Sequence, residues 1–171
     1  TEEATKNALV MPFIAALGYN VFDPTEVVPE FTADVGTKKG EKVDYAILRE
    51  HKPIILIECK AAGIDLDSTH ASQLFRYFST TPARVGILTN GVEYRFYSDL
   101  DAPNRMDERP FLTLNMLDFH ESLVVELKRF AKSAFDVEDL ATVAQELKYI
   151  QGIKRVLAQQ ISAPNDDFVR L

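Results

Sequence analysis

The stretch Pro53-Ile54-Ile55-Leu56-Ile57-Glu58-Cys59-Lys60 decides how this chain folds. Five apolar residues in a row fit a strand buried on both faces, yet the run ends directly in a glutamate and a lysine. Burying an unpaired carboxylate or ammonium costs several kcal/mol, so both groups need partners or a task. Working outward, Val43 to Leu48 reads as a second strand and Arg49 to Lys52 as a tight turn. In a hairpin turning near residue 51, residues whose numbers add to 102 face each other, and Asp44 faces Glu58. Opposed Cβ atoms in an antiparallel pair lie roughly 4.5–5.5 Å apart, so two carboxylates there repel unless a proton or cation intervenes. The two-residue period puts Lys60 on the face of Glu58, and Cys59 on the other face with Ile55 and Ile57. Two carboxylates and a lysine converge at the strand ends. Oxygen-only ligands suit a hard cation such as Mg²⁺, which takes one or two protein carboxylates and leaves room for phosphate. The chemistry this permits is metal-assisted phosphodiester hydrolysis. The plain alternative is a structural ion pair at a strand end.

The rest of the chain alternates helix and strand. Leu9, Val10, Phe13, Ile14 and Leu17 predict a helix over residues 3–17, stopped by Gly18, with Thr1 as N-cap and Glu2 and Glu3 in the first turn. Val21-Phe22 and Val27 to Phe31 predict a strand interrupted by Asp23-Pro24, before a polar loop at residues 36–40. Asp67-Ser68-Thr69 opens a helix to about Ser79. Strands over residues 84–89 and 92–97 are joined by Asn90-Gly91, the signature of a type I′ hairpin. Phe111 to Leu114 reads as a further strand, and residues 119–132, 137–148 and 150–161 as helices. The class is α/β, with a mixed central sheet flanked by helices and additional C-terminal helices.

Composition bounds the function. At 171 residues and 46% hydrophobic, the chain suits one domain with a substantial core. The lone Cys59 excludes an internal disulfide framework, and no apolar run approaches 18 residues, so a cytoplasmic protein with no membrane association is expected. A net charge of −7 argues against coating nucleic acid by bulk electrostatics. It leaves room for a local basic groove, and Lys38, Lys39 and Lys42 cluster just before the Asp44 strand. The chain opens on TEEATKN and closes on DDFVRL without a terminal signal, which reads as a fragment of a longer protein.

Val43-Asp44 followed by Glu58-Cys59-Lys60 resembles the PD-(D/E)xK nuclease motif, with valine in the proline position. Gln73-Leu-Phe-Arg-Tyr77 resembles the Gln-x-x-x-Tyr motif that follows it in the restriction (motor) subunits of type I restriction enzymes. Thr1 to Lys6, leading into Met11-Pro12-Phe13 and Leu17-Gly18-Tyr19, is similar to the start of that nuclease domain. The resemblance covers residues 1–115, leaving 116–171 as a helical extension that packs on the core or leads into a further domain.

The resemblance implies a restriction-endonuclease-like fold and a Mg²⁺-dependent DNA endonuclease, with Mn²⁺ as a possible substitute. Asp44 and Glu58 would hold the metal with the Cys59 backbone carbonyl, and Lys60 would position the attacking water. The first-helix glutamate of the family falls on Glu2 by counting back from Met11-Pro12, while Glu3 lies on the better-patterned face. Gln73 and Tyr77, one turn apart, would contact the DNA backbone with Lys38, Lys39 and Lys42. A core tyrosine and a solvated glutamine are the alternative. His70 shares their face but suits softer metals, and reads as a surface histidine. The chain has no Gly-x-x-x-x-Gly-Lys-Ser/Thr loop, hence no ATP site. DNA is the expected partner, with restriction-modification subunits or a second copy as possible company. A binding module of the same fold without turnover is the competing function, and a purely structural charge cluster a third.

Overall fold

The computed structural model describes residues 1–32, 42–67, 69–118, 120–136 and 139–165. Its centre is a six-stranded mixed sheet in the order β1 (Val27–Phe31), β2 (Val43–Arg49), β3 (Lys52–Cys59), β4 (Val85–Thr89), β5 (Glu93–Tyr97) and β6 (Leu112–Asn115). Only β3 and β4 pair in parallel, because the helix Ser72–Thr80 carries the chain back between them. Every residue of β3 after Lys52 is buried, as its apolar run requires. Ile55, Ile57 and Cys59 enter one core layer, whereas Leu56 packs with Leu74, Tyr77 and Phe78 of the crossover helix in the other. The sheet is therefore covered on both faces.

The β2–β3 register agrees with the sequence at the end that matters. Tyr45 faces Ile57 and Ile47 faces Ile55, but beyond a bulge Leu48 faces Pro53 and Arg49 faces Lys52. The extra residue is Ile54, which joins the same core layer as Ile55. Glu50 (φ 52°) and His51 (φ 63°) then close a two-residue turn in the left-handed region. Non-glycine residues resist that region by roughly 1–2 kcal/mol each, so the paired strands hold this turn against its local preference.

The first helix is not uniform. Glu2–Thr5 and Met11–Ala16 are α-helical, but Lys6–Val10 between them is a π-helical turn in which the Met11 N–H donates to the Lys6 carbonyl. Pro12 has no N–H to offer the turn before it, and the backbone widens to accommodate its ring. Gly18 (φ 89°) ends the helix as expected. Val21 and Phe22 form no strand: the Asn20 and Asp23 side chains take the N–H groups of Phe22 and Thr25 and hold the segment in turns. A similar turn delays the crossover helix to Ser72, because Asp67 accepts from the Thr69 and His70 amides instead of capping it.

The β4–β5 hairpin forms at the expected place with different chemistry. Gly91 (φ 81°) takes positive φ, while Asn90 acts through its side chain, accepting from the Val92 and Glu93 amides. After a helix at Glu121–Lys128, Leu140–Ser162 is one continuous helix where the sequence suggested a break near residue 149. Gly152 costs such a helix only about 1 kcal/mol, and no proline or cap interrupts it. Phe130, Phe135, Leu140, Ala144 and Leu147 pack with the first helix against the sheet, so the helical extension shares the main core as far as Leu147.

Candidate active site

Asp44 sits at the start of β2 and Glu58 near the end of β3, one residue past the Tyr45–Ile57 pair. Asp44 Oδ2 accepts the Cys59 N–H at 2.6 Å, which fixes the carboxylate against the strand end. Glu58 is almost completely buried; its Oε1 accepts from Lys60 Nζ at 2.7 Å, and its Oε2 has no hydrogen-bond partner among the described residues. Burial, and next the charge of Asp44, push the Glu58 carboxyl up to about 7 against the pull of Lys60. For Lys60 burial works against the charge, but the hydrogen bond and charge of Glu58 outweigh it and raise its pKa. The charged pair is incompletely satisfied on the glutamate side.

The first helix completes the cluster. Glu2 Oε2 lies 4.0 Å from Lys60 Nζ, whereas Glu3 is exposed and accepts from Asn7 on the same helix. Of the two glutamates that the sequence left open, Glu2 is the one placed beside Lys60. Lys6, which the sequence reading gave no role, enters the site: its ammonium pairs with Asp44 Oδ1 and stands 3.6 Å from Glu2 Oε1. The available signal was spacing, since Glu2 and Lys6 are four residues apart on one helical face. Thr5 also serves the site, its Oγ1 accepting the Ala62 N–H at 2.8 Å and tying this helix to the loop after β3. Cys59 is buried on the opposite side, and burial followed by the charge of Asp44 pushes its thiol up, away from reactivity.

The remaining sequence candidates are arranged around this centre. Gln73 is half-buried and its Nε2 donates to the Lys42 carbonyl, bracing the entry to β2. Tyr77 is fully buried in the core layer with Leu74 and Phe78, the packing alternative rather than a surface contact. Lys42 is exposed and pairs with Glu30 at 2.8 Å. Lys38 and Lys39 lie outside the described residues. His70 is half-buried rather than a freely exposed surface histidine, with its Nδ1 3.0 Å from Asp67 Oδ1.

The orphaned Glu58 Oε2 and the Asp44 carboxylate are hard oxygen donors of the kind Mg²⁺ prefers, and two carboxylates suffice for an ion that keeps several waters. Among the described residues no group of three or more His, Cys, Asp or Glu side chains is placed to hold a metal.

A six-stranded mixed sheet flanked by helices, with acidic and basic side chains gathered at the ends of its second and third strands, defines a restriction-endonuclease-like α/β domain. Residues 26–105 match the family model of the type I restriction enzyme R protein N terminus. The resemblance to the N-terminal nuclease domain of R subunits is therefore shown over the stretch holding Asp44, Glu58, Lys60, Gln73 and Tyr77, while Glu2 and Lys6 precede it. No curated protein and no solved structure matches the chain. No helix among the described residues is long and apolar enough to cross a membrane.

Proposed function

We propose that the chain is a Mg²⁺-dependent endonuclease domain that hydrolyses phosphodiester bonds in DNA, of the kind carried by type I restriction R subunits. The observation that carries this reading is the buried Glu58 Oε2, left without a partner beside the Asp44 carboxylate. Glu58 accepts from Lys60 through Oε1 alone, which leaves its second oxygen to a further cation. Asp44 and Glu58 would hold the ion, with the Cys59 backbone carbonyl as a third oxygen. Bound there, Mg²⁺ or Mn²⁺ supplies positive charge to the scissile phosphate and makes a water a better nucleophile at neutral pH. Lys60, fixed by Glu58, would orient the attacking water and stabilise charge developing on the phosphoryl oxygens, with Glu2 as a second acceptor 4.0 Å from the Lys60 ammonium. Lys42 and Gln73, with Lys38 and Lys39, would take DNA phosphates, contacts that position the duplex without reading its sequence. Tyr77 would act by packing, setting the helix that presents Gln73. DNA and restriction-modification subunits are the partners this reading implies.

The test is plasmid cleavage in Mg²⁺ by the wild type and by Lys60→Ala. Loss of an active-site charge-stabilising group costs about 10²–10³-fold in rate, so cleavage should fall below detection while DNA binding persists. Binding without cleavage by the wild type would instead favour a module of the same fold that holds DNA without turnover. A second readout is the thermal midpoint with metal: a hundredfold excess over Kd stabilises a native-state binder by about 2.7 kcal/mol, a gain that Asp44→Ala should abolish.

A further inference from the structure

Three carboxylates, Glu2, Asp44 and Glu58, meet two ammonium groups, Lys6 and Lys60. Lys60 has a task in the chemistry above, but Lys6 has none. It is nevertheless the more enclosed of the two, its side chain only 12% exposed against an Asp44 that is 11% exposed. One Asp44 oxygen is fixed by the Cys59 amide and the other by Lys6, so the lysine stands at the oxygen an incoming cation needs. Glu2 offers the ammonium a second acceptor 3.6 Å away. Lys6 is held there by its surroundings: it begins the π-helical turn, and the preceding Thr5 anchors that turn to Ala62.

We propose that Lys6 is a built-in counter-cation of the carboxylate site, a positioning residue that neutralises Asp44 in the metal-free protein and yields its oxygen to the metal by moving onto Glu2. The inference rests on the metal-site reading above. With Glu58 ionised, the cluster carries one net negative charge with Lys6 in place and two without it. Removing the ammonium therefore weakens the empty site and strengthens metal binding. A like charge within about 4–6 Å shifts a binding equilibrium by roughly ten- to a thousandfold, so a tightening of about tenfold or more is expected.

The experiment is calorimetric titration of Mn²⁺ into the wild type, Lys6→Met, Lys6→Gln and Asp44→Asn, with the metal-free thermal midpoint of each. Both Lys6 variants should bind Mn²⁺ about tenfold or more tightly than the wild type and melt lower without metal. Lys6→Gln retains a hydrogen bond to Asp44 and preserves the test if Lys6→Met does not fold. Asp44→Asn should lose the binding. If the wild type binds, Asp44→Asn does not, and the Lys6 variants match the wild type, the counter-cation role is wrong and the metal site stands. If neither the wild type nor the Lys6 variants bind Mn²⁺, the metal-site reading fails and takes this inference with it.

Discussion

The ends of β2 and β3 and the second half of the Leu140–Ser162 helix break the usual distribution of side chains in opposite directions. At the strand ends a glutamate is nearly excluded from water, with one oxygen unpaired among the described residues. Along the helix beyond Leu147, Tyr149, Ile153, Val156 and Ile161 are more than half exposed. Buried charge is costly and persists where the surrounding structure enforces it, here by the β2–β3 ladder, the Asp44–Cys59 hydrogen bond and the first helix. Exposed apolar groups have no such constraint, and a helix can carry them at little cost to its own stability. The contrast separates a site that the fold works to maintain from a surface that the fold tolerates.

The strongest way to break the comparison is to remove the enforced charge. Glu58 ionises near 4.5 in the unfolded chain and near 7 in the folded one. Between those values the folded protein keeps a proton that the unfolded chain has released, so metal-free stability falls as pH rises from 4.5 to about 7 and is level above. The loss is roughly 3 kcal/mol. In Glu58→Gln that fall should be missing, leaving the variant more stable than the wild type at pH 8 and similar at pH 5, as urea unfolding in EDTA will show. A wild type with a flat profile would mean the glutamate is better satisfied than its geometry indicates.

A smaller effect tests the scaffold under the site. At Gly91 a Cβ would come within 2.6 Å of Leu9 Cδ1 and 2.8 Å of Thr5 Cγ2, at a backbone angle of φ 81°. Gly91→Ala should cost about 2 kcal/mol by denaturant unfolding and loosen the first helix that carries Glu2 and Lys6. The smallest effect belongs to the helix and has the opposite sign. Nothing lies within 4 Å of a Cβ placed on Gly152, so Gly152→Ala should raise stability by about 1 kcal/mol while cleavage stays unchanged. A change in cleavage would tie the distal half of the helix to the site and remove the distinction between the two regions.

Much of the site was legible because its groups lie on two adjacent strands whose pattern is local. The apolar run at Ile54 to Ile57 marks β3, and the period of two fixes which faces Cys59 and Lys60 occupy. Register then follows: the expected pairing holds at Tyr45–Ile57 despite a bulge nearer the turn. The chain beyond the strands was less legible. Asn20, Asp23 and Asp67 divert the backbone into turns through their own side chains, so apolar periodicity overstates Val21-Phe22 as a strand and places the crossover helix too early.

Sequence by itself determined the α/β class, the two-sided burial of β3 and the meeting of Asp44, Glu58 and Lys60, because each follows from residue type and short-range spacing. Only tertiary structure decided which first-helix groups join them. Glu2 and Lys6 lie some 40 to 60 residues away in the chain from Asp44 and Glu58, and no local rule relates them. Their places depend on how a helix widened before Pro12 seats against the Gly91 turn and the loop at Ala62. Packing at the strand ends and over the sheet face, not periodicity, set Lys6 against Asp44 and drew Tyr77 into the core, because burial and charge pairing are settled by neighbours the chain meets only on folding.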